Sequence, residues 1–371
     1  MKAVLNYLKK EVVLGISLLL ALVSMTFVPL DNEYISYIDF HTLAILLSLM
    51  IVMAGLRDLG LFSMIGSWML EKTNNVRSLA IVLVLLCFGF SMVITNDVAL
   101  ITFVPFTIDV LVMAGLENYL IPIIVLQTIA ANLGSMLTPI GNPQNLYLFS
   151  LSGMTLGNFV SLMLPYTLLS FIGLLITLFI LIDRKAVAVK VQSPRTLTAA
   201  ERRKAVVYFL LFLFALTSVI RLISVYLVGA VVLSVAYLMD RGVLRKPDYA
   251  LLLTFVFLFV FIGNMKRIPE INLWLYNIIH GHELLTSVFA SQVISNVPTA
   301  ILLSGFTDNI STLLVGTNLG GLGTIIASMA SLISFKYYGL TEGKQNAVYL
   351  GVFTLLNLIF LIMLLLLYYL I

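Results

Sequence analysis

The chain has 371 residues, is 61% hydrophobic and only 10% charged, and has a mean hydropathy of +1.10. That composition excludes a soluble globular fold and places the chain among all-α polytopic membrane proteins, with the lipid bilayer as its solvent. The net charge of +4 comes mostly from Lys and Arg in a few connecting stretches, where they set topology and give no sign of nucleic acid, and the single cysteine, Cys87, excludes an internal disulfide and a multi-cysteine metal site.

In chain order, a first apolar run covers residues 12–29. Lys2, Lys9 and Lys10 precede it and Asp31 and Glu33 follow, so the N-terminus is expected in the cytoplasm. A second span at 40–56 makes the first an uncleaved helix, not a signal peptide. Residues 57–77 mix charges with Leu59, Leu61, Phe62, Ile65, Trp68 and Met69, as an amphipathic interfacial helix would. Residues 78–116 are too long for one helix and are interrupted by Thr95-Asn96-Asp97. This predicts two short arms meeting at a polar tip, a re-entrant hairpin entered from the cytoplasm; two full spans with a tight turn are the alternative. Residues 120–152 start as a helix that Pro139, Gly141 and Pro143 must break. A span at 158–182 follows.

Residues 183–204, with Arg184, Lys185, Lys190, Arg195, Arg202, Arg203 and Lys204, read as a cytoplasmic linker. Spans at 205–220 and 222–238 lead to a second basic loop with Arg241, Arg245 and Lys246. Then come a span at 249–263, an outer-interface stretch at 264–283, and a second hairpin at 284–308 with Ser295-Asn296-Val297-Pro298-Thr299 at its tip. A second broken helix at 310–336 and a last span at 347–371 put the C-terminus outside. The predicted division is an N-terminal helix (1–39), a first inverted repeat (40–182), a linker with a connecting helical pair (183–249) and a second inverted repeat (250–371).

The repeat is visible residue by residue. Asn132, Leu133, Gly134, Thr138 and Ile140 recur as Asn318, Leu319, Gly320, Thr324 and Ile326, at an offset of 186. Gly141 and Asn142 correspond to Ala327 and Ser328. Val93-Ile94-Thr95-Asn96 matches Val293-Ile294-Ser295-Asn296 at an offset of 200. Two polar breaks in the same order in two hydrophobic halves are the mark of a secondary transporter. A broken helix at membrane depth survives only where it is buried in protein or lines a wet cavity. An odd number of crossings between the copies makes them inverted, with the two tips meeting near the midplane.

These breaks suit a small ion or anion. Short helix halves direct partial positive charge inward, and unwound carbonyls favour sodium. The candidate substrate-binding residues are Thr95, Asn96, Asp97, Asn142, Ser295, Asn296 and Thr299. The candidate cation-binding residues are Thr95, Asn96, Asn132, Thr138, Gly141, Ser295, Asn296, Asn318, Gly320 and Thr324. Any one Ser or Thr could simply pack helices, but packing does not require two matching clusters. A carboxylate at mid-membrane costs about 2.5–3.5 kcal/mol on insertion scales, so Asp97 reads either as a proton or sodium carrier or as a helix N-cap. Its repeat partner is Val297. His280 and His282 read as a plain polar loop, with no transition metal expected. No phosphate loop or nucleotide motif is present, so neither ATP drive nor an enzyme is expected, and no cofactor beyond a coupling ion, Na+ or H+. A channel is the alternative class, though midplane breaks suit alternating access better than a continuous pore.

The pairing of a Ser/Thr-Asn tip with a downstream broken helix resembles the ion transporter superfamily. Its divalent anion:sodium symporters carry Ser-Asn-Thr at each tip. Asn96-Asp97 followed by Ala99-Leu100-Ile101 looks closer to the arsenite-permease branch. The segment from Thr138 through Gly141-Asn142-Pro143-Gln144-Asn145 is similar to the Ile-Gly-Asp-Pro-Pro-Asn type of segment in arsenite, sodium/proton and citrate-transporter relatives. The resemblance covers residues 40–182 and 250–371. It implies a scaffold with a moving transport domain, elevator-type movement and often a homodimer. It also implies one cation site at Thr95, Asn96 and the 138–141 loop, a second at Ser295, Asn296 and the 320–324 loop, and substrate between the tips. The expected function is transport of a small organic anion across the cell (inner or plasma) membrane. A di- or tricarboxylate such as citrate or succinate, moved by symport with sodium or protons, is the leading expectation. Arsenite or antimonite efflux and sodium/proton antiport are the rivals.

Overall fold

A computed structural model describes residues 11–186 and 197–371. Lys2, Lys9, Lys10, Lys190 and Arg195, used above to orient the chain, lie outside the described residues. The described residues form helices α1 (Val12–Ser24), α2 (Glu33–Ser36), α3 (Phe40–Asp58), α4 (Leu61–Leu70), α5 (Val76–Ile94), α6 (Asn96–Met113), α7 (Leu120–Ser135), α8 (Pro143–Ser152) and α9 (Leu156–Leu181). The second half contributes α10 (Ala199–Val219), α11 (Val225–Met239), α12 (Tyr249–Lys266), α13 (Pro269–Ile279), α14 (Glu283–Ile294), α15 (Asn296–Ser304), α16 (Ile310–Leu319), α17 (Met329–Tyr338) and α18 (Asn346–Leu370). Among the described residues, seven helices are long and apolar enough to cross a membrane. The chain is an all-helical, multi-pass membrane protein.

Helix starts follow local chemistry. Asp39 accepts from the Thr42 N–H at 3.0 Å to cap α3, and Asp248 accepts from Leu251 N–H at 2.9 Å to cap α12. Asn75 with Ser78 and Thr198 with Glu201 form capping boxes at α5 and α10. Pro143 opens α8, where its missing N–H costs nothing.

The hairpin break falls at Thr95, but the arms of the first hairpin differ from expectation. They are 19 and 18 residues long, not short. The whole apolar stretch is used as helix, while the turn between them is pinned into the protein core by Asn96. The second hairpin has arms of 12 and 9 residues, too short to span.

The base of the first hairpin sits where α9 ends. Val76 N–H donates to Lys185 O at 2.9 Å, and Tyr119 Oη donates to Asp183 at 3.3 Å. This face also holds the Lys246–Asp58 and Lys204–Asp240 ion pairs. The base of the second hairpin is closed by Thr307 Oγ1 donating to Glu283 at 2.9 Å. It lies beyond α12, at the end where Arg267 pairs with Asp31 at 2.7 Å and Glu33 at 3.4 Å. Between the faces, α5 packs on α7, α14 on α16 and α1 on α12, while α10 and α11 flank α3.

Candidate functional site

Both hairpin tips have the same unusual backbone. Thr95 has φ 74° and ψ 148°, and Ser295 has φ 71° and ψ 156°. Only glycine adopts this region freely, and another residue there costs on the order of 1–3 kcal/mol. The tips are held by matching bonds. Asn96 N–H donates to Gly141 O at 3.0 Å, and Asn296 N–H donates to Ala327 O at 2.9 Å. Thr138 Oγ1 donates to Met92 O at 2.5 Å, and Thr324 Oγ1 to Gln292 O at 3.1 Å. Each pair is related by the two sequence offsets, 200 in the hairpin and 186 in the broken helix. The approach is close. A Cβ on Gly141 would lie 2.0 Å from Ser135 O, and one on Gly320 would lie 2.7 Å from Ser291 Oγ.

The broken helices are then cross-bonded to each other. Asn132 Oδ1 accepts from Asn96 Nδ2 and from Ser328 Oγ, both at 3.1 Å. Reciprocally, Asn142 Nδ2 donates to Asn318 Oδ1 at 3.2 Å and to Ser135 Oγ at 3.1 Å. Asn318 Nδ2 donates to Asn145 Oδ1 at 2.6 Å, and Asn145 Nδ2 reaches the carbonyls of Ser135, Met136 and Thr138. Asn142 Oδ1 also caps α8, accepting from Asn145 N–H at 2.9 Å. The unwound carbonyls of the first break thus find partners inside the protein, as lipid depth demands.

A cavity of about 290 Å3 reaches this core from one side. Thr95, Asp97 and Asn142 line its inner end; Arg57, Lys246, Asp248 and Lys336 line it on the basic side, and Leu46, Leu49 and Leu251 form its walls. Lys246 is paired with Asp58, whereas the side chains of Arg57 and Lys336 carry no hydrogen bond or ion pair among the described residues. Deeper, between the tips, lies a void of about 10 Å3 lined by Asn96, Asp97, Gln144, Asn296 and Ser328, among others. Gln144 is 1% exposed and its Oε1 has no partner among the described residues. An unsatisfied buried polar group of this kind costs about 1–3 kcal/mol.

The predicted residues thus divide into three sets. Thr95, Asp97 and Asn142 face the cavity. Asn96, Asn132, Asn296 and Asn318 are buried in the core between the breaks. Thr138, Thr299, Thr324, Gly141 and Gly320 are spent locally: Thr299 Oγ1 donates to Ser295 O at 2.8 Å, Gly320 O accepts from Gln292 at 3.0 Å, and Thr324 is exposed. Ser295 Oγ reaches Ala327 O only at 3.4 Å.

The cap reading of Asp97 is corrected. Thr95 is the N-cap of α6, and Asp97 sits in its first turn, where its own N–H is taken by Asn96 Oδ1 at 2.9 Å. Asp97's carboxylate accepts no hydrogen bond and forms no ion pair among the described residues. The candidate site residues read from the sequence do not include Ser328, Gln292, Gln144 or the basic rim. Ser328 was signalled by its alignment with Asn142; the rim residues, scattered over three loops or helix ends, carried no signal.

These features define a class: a multi-pass helical membrane protein whose core is two cross-bonded helix breaks reached by a cavity with a basic rim. Comparison with known proteins specifies it further. The citrate transporter family profile matches residues 8–315. The chain is 32% identical over 317 residues to inner membrane protein YbiR of Escherichia coli, covering 84% of this chain and 83% of that protein. It is 32% identical over 305 residues to uncharacterized transporter MJ0456 of Methanocaldococcus jannaschii, covering 82% of each. A 46 kDa membrane protein of Mycobacterium leprae is 23% identical over 364 residues, covering 85% of this chain and 83% of that protein. The chain belongs to the citrate transporter family, and it is a membrane transporter, not an enzyme.

Proposed function

We propose that this protein is a secondary active transporter that moves a small organic anion, a di- or tricarboxylate, together with sodium or protons. The observation that carries the reading is the cavity joining Thr95, Asp97 and Asn142 to Arg57, Lys246 and Lys336. An anion entering from the basic rim meets cations first and amide and hydroxyl donors second. At 290 Å3 the space suits an ion of a few carboxylate groups.

The matching bonds of the two tips, at offsets of 200 in the hairpins and 186 in the broken helices, and their bases at opposite faces, support an inverted repeat. By the positive-inside rule, the face bearing Arg57, Arg241, Arg245 and Lys246 is cytoplasmic, which makes this an inward-open state. Elevator movement would carry the cross-bonded hairpins and broken helices past α3 and α12. The surface they would slide on is largely apolar, with Leu46, Leu49 and Leu251 opposite Leu146.

The test is uptake of labelled citrate, succinate and related acids into proteoliposomes with imposed sodium or pH gradients. Gradient-driven accumulation is expected. Sodium-driven proton flux without anion uptake would replace the reading by an antiporter. Arsenite-driven flux with no carboxylate competition would replace it by an arsenite permease.

A further inference from the structure

The turn between α10 and α11 carries a cation far from the cavity. Lys204 and Asp240 pair at the cavity end of these two helices, and α10 runs for 21 residues, roughly 30 Å, so Arg221 lies at the opposite face. Its backbone sits at φ 62°, and the other non-glycine residues with positive φ among the described ones are the two hairpin tips, Thr95 and Ser295. A residue with a side chain stays in this region only where its surroundings hold it there. Arg221 Nη1 donates to Gly153 O at 3.1 Å, and Nη2 donates to Phe149 O at 3.0 Å and to Ser150 O at 3.3 Å. Its guanidinium carbon is 5.4 Å from the centre of the Phe149 ring. These acceptors are the last-turn carbonyls of α8, at the negative end of its dipole. Ser150 Oγ, in the same turn, is 3.3 Å from His41 Nδ1 at the start of α3. The corresponding end of the second broken helix is tied by its own chain: Gly339 N–H donates to Phe335 O at 2.8 Å, and Lys344 Nζ donates to Gly339 O. The first break alone of the two is anchored by a distant element.

We propose that Arg221 is a latch between the α10–α11 turn and the half-helix α8, and that it holds the transporter with its cavity open at the face far from the latch. The inference rests on the movement proposed above, in which the hairpins and broken helices slide past α3 and α12. The helices α10 and α11 pack on α3 and stay with it. A shift of α8 along its axis therefore has to break the three Arg221 bonds and the Ser150–His41 contact. The chemistry suits a bond that is made and released. Arg221 has no carboxylate partner among the described residues, its acceptors are neutral carbonyls, and it is exposed, so water can take over each N–H as α8 leaves. The latch biases the equilibrium between the two states without locking it.

The test is side-specific labelling of the full-length protein in oriented proteoliposomes. The background is Cys87→Ala, and the probe is Val98→Cys on the cavity wall. A membrane-impermeant methanethiosulfonate is applied to one side or the other, with no anion substrate present. With Arg221 intact, labelling is expected from the cavity side. Arg221→Gln should raise the ratio of opposite-face to cavity-side rates by about tenfold or more, the shift expected when hydrogen bonds from a charged donor are lost. Arg221→Lys keeps the charge but not the fork and should fall between the two. Thermal unfolding of the same preparations reports any loss of helix capping separately. An unchanged ratio in Arg221→Gln overturns the latch whether or not the midpoint falls, because a cap lowers stability without favouring one face. Equal labelling from both sides with Arg221 intact also overturns it. If Arg221→Gln does not reconstitute, the ratio in Arg221→Lys decides in the same way. Uptake of labelled citrate and succinate by the same proteoliposomes separates the two readings: uptake with an unchanged ratio removes only the latch, and a changed ratio without uptake removes only the anion reading.

Discussion

Ser328 Oγ donates to Asn132 Oδ1 at 3.1 Å, and its repeat equivalent, Asn142 Nδ2, donates to Asn318 Oδ1 at 3.2 Å. Each half of the chain thus uses the start of its second helix segment to hold the end of the other half's first segment. Both bonds are buried, so losing an acceptor strands its donors at about 1–3 kcal/mol each. Asn132→Ala strands Asn96 Nδ2 and Ser328 Oγ together and is expected to lower stability by about 2–5 kcal/mol, more than Ser328→Ala alone. The double variant should be milder than the sum, because the two side chains share one bond. Thermal unfolding in lipid of the two single variants and the double one checks this; strict additivity would deny the bond.

Gly141 and Gly89 make a paired test of the close tip contact. A Cβ at Gly141 meets Ser135 O at 2.0 Å, backbone that cannot step aside. Gly141→Ala is expected to cost about 3 kcal/mol or more and to displace the Asn96 N–H bond. At Gly89, on an exposed part of α5, nothing lies within 4 Å, so Gly89→Ala should be neutral or stabilising by up to about 1 kcal/mol. Equal losses at both positions would mean the tip is not tightly seated.

Much of this was legible in the sequence. Pro139, Gly141 and Pro143 mark the first break because no helix continues through them, and the recurrence of Asn132-Leu133-Gly134 locates the second. The hairpin tips were readable from a polar triplet in an apolar run. Register within a turn was not: Asp97 looks like a cap, but the cap is Thr95, two residues earlier. Long-range pairing was not legible either. Nothing in the sequence says that Arg57 and Lys336 line the same cavity, because that depends on how α3 and α17 converge. Thr138 and Thr324 look like ligands by composition, yet packing directs both hydroxyls at carbonyls of the neighbouring hairpin.

The strain at Thr95 gives another expectation. Among the described residues its side chain has no hydrogen bond, and it lines the cavity, so the φ of 74° is not repaid by side-chain bonding. Thr95→Gly should stabilise the protein by about 1 kcal/mol or more by relieving the backbone, while raising the KM for the anion proposed as substrate. A variant that is more stable with unchanged KM would show that the hydroxyl does not face substrate.

The rim makes an electrostatic prediction. Arg57 and Lys336 are unpaired among the described residues, and Lys246 is held by Asp58. Arg57→Gln and Lys336→Gln should each raise KM from the side on which the rim opens several-fold at low salt, with the difference shrinking as screening shortens the reach of the charge. Lys246→Gln should do less to KM, since its charge is already compensated. Inside-out vesicles at two ionic strengths measure this, and a salt-independent change would point to direct contact instead of steering.

Coupling turns on Asp97. Its carboxylate is the acid at the inner end of the cavity, beside Asn142 and Thr95; it caps no helix, and the other charged groups on that cavity are Arg57, Lys246, Asp248 and Lys336. A carrier must alternate between a protonated form and a charged or cation-bound form in each cycle, and an unpaired carboxylate is free to do so. Asn at 97 keeps the shape and removes the titration. If Asp97 carries the coupling ion, Asp97→Asn should still exchange labelled for unlabelled anion across the membrane but should no longer accumulate it against a gradient. Its transport should also lose whatever pH dependence the wild type has. Counterflow and gradient-driven uptake, measured side by side from pH 5 to pH 9, separate the two functions. Accumulation and a pH profile like those of wild type in Asp97→Asn would sink the carrier role. Coupling would then fall to neutral oxygens alone, of which Asn96, Asn296 and the broken-helix carbonyls are the nearest, and those are already engaged in the bonds that hold the tips.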